Sequence, residues 1–243
     1  MKKLISLIVI LLFSSMTAQS AFIFLLHQKM REQRNINEMI LRLTNMKDGK
    51  DANFTSFTDE YEKSLSREVL DDMLESDTTF ITSTNIELDK AITRYENGDF
   101  QTAVPTFIKF SEEGGTKARY YLARCYYYGQ GVKKNYSTAV DLLAQNNGIT
   151  LADANSHFLL SRCYRYGKGE TTNYEKADSL VIEAACRGLN EAIELLQIEK
   201  EMSRNDILDW LISILNDKMA RIRTLEENLQ QNIPNEAPTF GLG

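Results

Sequence analysis

"ARYYLARCYYYGQGVKKNYSTA" at residues 118–139 is written a second time, with changes, as "SHFLLSRCYRYGKGETTNYEKA" at residues 156–177. The copies align without a gap at an offset of 38 residues. The offset pairs Leu122 with Leu160, Arg124 with Arg162, Cys125 with Cys163, Tyr126 with Tyr164, Tyr128 with Tyr166 and Asn135 with Asn173. A fixed period of about 20–50 residues signals a solenoid, because one such unit cannot bury its own apolar face whereas stacked units can. Each copy reads as a helix, a Gly-x-Gly turn and a second helix. Ala118, Leu122 and Tyr126 recur at i, i+4 and i+8 and make one helical stripe. Gly129 and Gly131 end that helix, since glycine tolerates the positive φ of a helix stop. Asn135 and Asn173 stand where an N-cap acceptor would satisfy the free amides of the second helix. The spacing predicts an all-α fold, an α/α-hairpin solenoid.

The pattern Ala-xxx-Leu-small-xx-Tyr-xx-Gly-x-Gly, closed by "AACRGLNEA" at 184–192, resembles Sel1-like repeats, the tetratricopeptide-like α/α-hairpins. Two clear units cover 116–153 and 154–191. A weaker one, "AITRYENGDFQTAVPTFIKF" at 91–110, keeps Tyr95, Gly98, Phe100 and Ala103 around a shorter turn. Ala103, Ala139 and Ala177 mark the period on the second helices, and Ala118, Ala154 and Ala192 mark it on the first. There are departures. Ala123 and Ser161 replace the family's usual glycine, asparagine replaces the acid after each turn, and Pro105 lies inside a predicted helix, where it removes one hydrogen bond. The paired cysteines of the family's secreted branch are missing, so the stack is expected to hold by packing alone. The resemblance implies a superhelix at 86–202 that binds another protein in the concave groove of its first helices.

With Leu122, Ala123 and Tyr126 turned into the stack, the groove side of the first unit falls to Lys117, Tyr120, Arg124, Tyr127 and Tyr128. In the next unit it falls to Asn155, Phe158, Arg162, Arg165 and Tyr166. By the resemblance these are ligand-facing positions. Guanidinium forks beside aromatic walls suit a carboxylate, so the candidate partner is a protein offering an acidic or C-terminal peptide segment. The competing reading makes the aromatics core and pairs the arginines with neighbouring acids.

Outside the repeats, "MKKLISLIVILLFSSMTAQSA" has two lysines, an apolar run and small residues before Ala21. It reads as a signal peptide over 1–20, or as an uncleaved signal anchor over 4–26, and both place the chain in the cell envelope or periplasm. An N-terminal helical region follows at 27–85. A helix at 27–46 carries Ile36, Ile40, Leu43 and Met46 on one side, and a second runs from about Asp59 to Glu75. A loop is expected at 76–85, ending in the capping box Thr84-x-x-Glu87. "SRNDILDWLISILNDKMARIRTLEENLQQ" at 203–231 forms a long C-terminal helix, N-capped by Ser203. Its a and d positions run from Leu208 through Leu211, Leu215, Lys218, Ile222 and Leu225 to Leu229. Ile207, Ile212, Ile214 and Met219 widen the apolar face of the first half for docking on the last repeat. Beyond Met219 the seam narrows and is expected to overhang, free to form a homo-oligomer or to pair with an adaptor helix, the competing reading being complete docking on its own solenoid. Residues 232–243 are an extended tail.

Composition narrows the function classes. Acidic residues outnumber basic ones 34 to 28 with no block of consecutive cations, which removes the footprint of a nucleic-acid binder. Cys125, Cys163 and Cys186 form no CxxC and no even set, and read as buried apolar residues rather than as a metal site or disulfide framework. His27 and His157 stand without partners for a triad, and GQG and GKG are repeat turns rather than phosphate loops. Asp71/Asp72 and Glu112/Glu113 are neighbours that point in different directions. No cofactor is called for.

Overall fold

The doubled Gly-x-Gly turn does two different jobs. Gly129 and Gly167 sit in the left-handed region, φ 77° and 64°, and close the first helix of each unit by donating their N–H to the Cys125 and Cys163 carbonyls. The second glycine touches the unit before. A Cβ on Gly131 would lie 2.7 Å from the Phe100 carbonyl oxygen, and one on Gly169 would lie 2.5 Å from the Tyr136 carbonyl carbon. Phe100 and Tyr136 each open the second helix of the preceding unit, so the same contact is made at both joints.

The computed structural model describes residues 18–49, 78–148 and 150–231. Among them are nine helices and no strand: α1 Ala18–Lys47, α2 Thr78–Glu96, α3 Phe100–Glu112, α4 Thr116–Tyr128, α5 Tyr136–Leu143, α6 Leu151–Tyr166, α7 Tyr174–Cys186, α8 Asn190–Lys200 and α9 Arg204–Gln231. The chain divides into two units, one spanning Leu41–Ile212 and the other joining the segment up to and including Ile40 with the segment from Ser213 onward.

In the larger unit α2/α3, α4/α5 and α6/α7 are hairpins. Each second helix also packs on the next first helix, and α4 packs directly on α6. The early hairpin is a full member of the stack. Its core of Ala103, Val104, Phe107, Leu122 and Cys125 is repeated as Ala139, Val140, Leu143, Leu160 and Cys163. The marker alanines 103, 118, 139, 154, 177 and 192 are all fully buried, which lets neighbouring helices approach closely. Asn135 and Asn173 are the N-caps of α5 and α7, accepting from the Thr138 and Lys176 amides. A cap that the repeat pattern hides starts α6, where Thr150 and Asp153 form a reciprocal capping box. The residue between the two glycines reaches back as well. The Tyr95 hydroxyl donates to Gln130 Oε1 at 2.5 Å, and Lys168 Nζ donates to the Tyr127 hydroxyl at 3.1 Å.

The loop expected at 76–85 is helical from Thr78. No glycine or proline interrupts 78–96, so α2 propagates through the Thr84 site, and Glu87 pairs with Lys109 at 2.9 Å instead of capping. Helix α3 runs through Pro105 to Glu112. The expected helix from Asp59 to Glu75, the leader before residue 18 and the tail at 232–243 lie outside the described residues.

The end of α1 docks on the turn after α7. Arg42 donates to the Arg187 carbonyl at 2.6 Å, and its side chain occupies the space that a Cβ on Gly188 would need. Ser203 caps α9 as expected, accepting from the Asp206 amide, and Lys47 pairs with Asp209 at 2.6 Å. In the smaller unit the expected free overhang is observed only in part: Leu225 of the seam is 49% exposed, but Ile222 is covered. Ile222 is only 4% exposed, Ile36 is buried, and Gln33 donates to Glu226 at 2.6 Å, because α1 begins far enough upstream to accompany the distal half of α9. Among the described residues no helix is long and apolar enough to cross a membrane.

Candidate interaction groove

Helix α4 has neighbours on both sides and therefore buries two stripes. Leu122 and Cys125 join the core with the preceding hairpin, and Ala123 and Tyr127 join the core with the following one. What remains outward is a third line at i, i+4 and i+8: Tyr120, Arg124 and Tyr128. On α6 the corresponding line is Phe158, Arg162 and Tyr166. Tyr128 is 43% and Tyr166 62% exposed, Arg162 is exposed, and Tyr120, Arg124 and Phe158 are half-buried. Direct packing of α4 on α6 sets the two lines side by side.

Two of the groove residues expected from the sequence do not belong to this surface. Tyr127 is 3% exposed. Its ring packs edge-on against Tyr128 and Tyr136, and its hydroxyl is taken by Lys168. Placing it outward assumes that α4 buries a single stripe containing Tyr126. Arg165 is committed to the scaffold, with Asp178 on α7 at 2.6 Å and Glu199 on α8 at 3.0 Å. Lys117 pairs with Asp89 on α2 at 3.3 Å, so its charge is partly matched.

Arg124 is held differently. Its guanidinium carbon lies 5.1 Å from the Tyr95 ring centre, 5.7 Å from Tyr120 and 5.8 Å from Tyr121. Among the described residues no carboxylate pairs with it, and none pairs with Arg162. Cation–π contact stabilises a guanidinium by about 0.5–2 kcal/mol per ring but supplies no anion for its N–H donors. Burial pushes the Tyr95 and Tyr121 phenols up to about 12, against the opposing pull of Arg124, so both stay neutral around the cation. The Tyr120 phenol is raised too, chiefly by burial, with Arg124 opposing and the charge of Glu191 at the start of α8 adding to the rise. The spacing of the two clear repeats assigns none of Tyr95, Tyr121 and Glu191 to this surface. Tyr95 is within reach of the sequence through the early repeat, whose first helix precedes α4 in the stack, whereas Glu191 comes close only through the superhelical path.

The histidine and cysteines near the groove are used by the scaffold. The buried His157 has Nδ1 2.7 Å from the Asp153 carbonyl oxygen, which fixes Nδ1–H as the donor, and its Nε2 faces Glu183 at 3.2 Å, tying α6 to α7. Cys125, Cys163 and Cys186 are free and buried. Burial pushes the Cys125 thiol up to about 12 and the Cys163 thiol up to about 11, so neither is a nucleophile. Among the described residues no cluster of three or more His, Cys, Asp or Glu is placed to hold a metal ion.

This geometry agrees with comparison. The family model for the Sel1 repeat matches residues 116–145 and 154–189. The chain carries Sel1 repeats over these residues. Sel1 repeat proteins are typically non-enzymatic protein–protein interaction scaffolds. Among solved structures, a Sel1 repeat protein from Oxalobacter formigenes is similar at 20% identity and TM-score 0.42, over 53% of this chain and 54% of that one. A protective antigen of uropathogenic Escherichia coli strains displaying an SLR fold is similar at 18% identity and TM-score 0.44, over 79% of this chain and 38% of that one. The chain thus spans about half or less of each. Comparison with curated proteins gives no match.

Proposed function

We propose that the Sel1 repeats capture an acidic segment of another protein on the surface formed by Tyr120, Arg124 and Tyr128 together with Phe158, Arg162 and Tyr166. One observation carries this reading: Arg124 is half-buried in a ring of tyrosines with no carboxylate partner among the described residues, and Arg162 repeats its position on the next first helix. A desolvated guanidinium that lacks an anion gains more from binding one than a solvated surface arginine does. The remaining walls are aromatic, the composition of an interface anchor rather than of a solvated face.

The test is a selection of random 12-residue displayed peptides on the full chain. Enriched peptides should be acidic, and enrichment should vanish with the double variant Arg124→Gln/Arg162→Gln while its circular dichroism stays unchanged. Enrichment of neutral or basic peptides, or retention by the double variant, would remove the proposal. We also propose that the protein works outside the cytosol, which rests on the leader-like composition of residues 1–20. N-terminal sequencing of the mature chain tests it, and a start at Met1 in a cytosolic fraction refutes it. Assembly through the C-terminal helix is the less supported reading, since Ile222 is covered within the same chain.

A further inference from the structure

We propose that Asn147 is a site of spontaneous deamidation, a covalent change that the chain makes in itself at the joint between its two clear repeats. The sequence holds two Asn-Gly pairs, Asn97-Gly98 and Asn147-Gly148, and both asparagines are exposed. In such a pair the backbone nitrogen of the glycine attacks Cγ of the asparagine, and the lack of a Cβ leaves that nitrogen open. At the second pair a bond forms from the Gly148 nitrogen to Asn147 Cγ. The bond from Cγ to the side-chain nitrogen breaks, and that nitrogen leaves as ammonia with the proton of the Gly148 amide. Water then opens the cyclic imide at either carbonyl, giving an aspartyl or an isoaspartyl residue with no change of oxidation state.

The backbone decides which pair reacts. At the first pair three successive amides are committed: Asn97 donates to the Thr93 carbonyl at 3.0 Å, Gly98 to Tyr95 at 3.0 Å and Asp99 to Arg94 at 2.9 Å. The attacking nitrogen there must give up its hydrogen bond before it can react. At the second pair Asn146 donates to the Leu143 carbonyl at 3.1 Å, but among the described residues neither the Asn147 nor the Gly148 amide donates to a partner. Exposure does not separate the two sites, whereas the bond on the glycine nitrogen does. Asn146 itself is protected. It is 1% exposed, accepts from Arg119 at 2.6 Å, and donates to the Thr116 carbonyl at 2.9 Å and the Ser156 hydroxyl at 2.8 Å.

The position gives the change a structural consequence. Asn146 ties α4 to α6 through those bonds, Arg187 donates to the Gly148 carbonyl at 2.7 Å, and Thr150 opens the capping box of α6. An isoaspartyl residue routes the main chain through Cγ, which inserts an extra carbon between Asn146 and Thr150 and adds a carboxylate. Asp153 is fully buried, its Oδ1 has no partner among the described residues, and its Oδ2 lies where a Cβ on Gly148 would come within 2.7 Å. A new negative charge on the residue before Gly148 opposes that buried carboxylate. Conversion of Asn147 therefore loosens the joint between α4 and α6.

The test holds the full chain folded at pH 8, and in parallel unfolded in urea, with timed samples mapped as peptides by mass spectrometry. In the folded chain Asn147 should convert at least about fivefold faster than Asn97, the rate equivalent of one backbone hydrogen bond. In urea the two rates should converge. Equal rates in the folded chain, or faster conversion at Asn97, overturn the proposal. Hydrogen exchange in the first turn of α6 should quicken as the native chain ages and stay constant in Asn147→Gln aged beside it, because glutamine must close a larger ring. Unchanged exchange in a fully converted chain overturns the loosening of the joint, and a change shared by Asn147→Gln overturns its assignment to this residue.

Discussion

Replacing Gly169 by alanine tests whether the second turn glycine sets the distance between repeats. At φ 82° an L-residue is strained by about 1–2 kcal/mol. The new methyl would also meet the backbone of Tyr136, 2.5 Å from its carbonyl carbon and 2.8 Å from the Ser137 amide nitrogen. Neither atom belongs to a flexible side chain. To reach ordinary contact the α6 turn must withdraw by about 1 Å, and a gap of that size forfeits a quarter to a half of each dispersion contact at the joint. Overpacking of this kind adds about 1–3 kcal/mol, for a total of about 2–5 kcal/mol. Gly98→Ala is the control, because φ is 85° there and nothing lies within 4 Å of the added carbon, so only the conformational loss remains. Urea unfolding of the full chain, followed by circular dichroism, reads the difference. Gly169→Ala should lose about 1–3 kcal/mol more than Gly98→Ala, with a shallower transition as coupling between neighbouring repeats weakens. Equal losses for the two variants would refute a stacking role for the glycine.

Other outcomes follow from the same contacts. Asn173→Ala should cost about 1 kcal/mol in urea unfolding and Asn173→Ser or Asn173→Asp much less, because the side chain accepts from the Lys176 amide at 2.9 Å. Lys168→Met should cost about 1 kcal/mol and speed hydrogen exchange in α4, since Lys168 donates to the Tyr127 hydroxyl and lies 5.0 Å from that ring. The thiols of Cys125 and Cys163 are raised from an ordinary value of 9.0 to about 12 and about 11, and the Tyr95 and Tyr121 phenols from 10.0 to about 12. The unfolded chain therefore releases protons from about pH 9, where the folded chain still holds them, and stability should fall as pH rises through 9–12. Melting temperatures at pH 8, 9 and 10 should decrease in that order, and a thiol reagent at pH 8 should label Cys125 and Cys163 only after denaturation.

The repeat was legible because its unit is written in residues whose roles are local. Asn135 and Asn173 cap the helix that follows them, Gly129 and Gly167 close the helix before them, and alanines at a constant period let helices approach. The start of α2 was not legible in the same way. Thr84 and Glu87 have the spacing of a capping box, but a capping box stops nothing upstream when no breaker precedes it, and α2 reaches back to Thr78. The distal half of α9 was misjudged in part, at Ile222 but not at the exposed Leu225, for a different reason. Its narrow seam describes the helix alone, whereas the burial of Ile222 depends on a partner about two hundred residues earlier in the chain.

The groove shows where periodicity stops being sufficient. An isolated amphipathic helix buries one stripe and exposes the rest, and on that rule Tyr127 and Arg165 belong to the binding face. A first helix inside a solenoid is packed by its own second helix, by the preceding hairpin and by the following first helix, so two stripes are consumed. Only one line of side chains is left for a ligand, at i, i+4 and i+8. Along it Tyr120, Arg124 and Tyr128 in one repeat recur as Phe158, Arg162 and Tyr166 in the next. Arg165 lies one step off this line, within reach of α7 and α8, and is neutralised by Asp178 and Glu199. Arg124 and Arg162 lie on it and find no such acid among the described residues. The arginine that the scaffold pairs with acids is thus separated from those with no acid partner among the described residues by a single helical step.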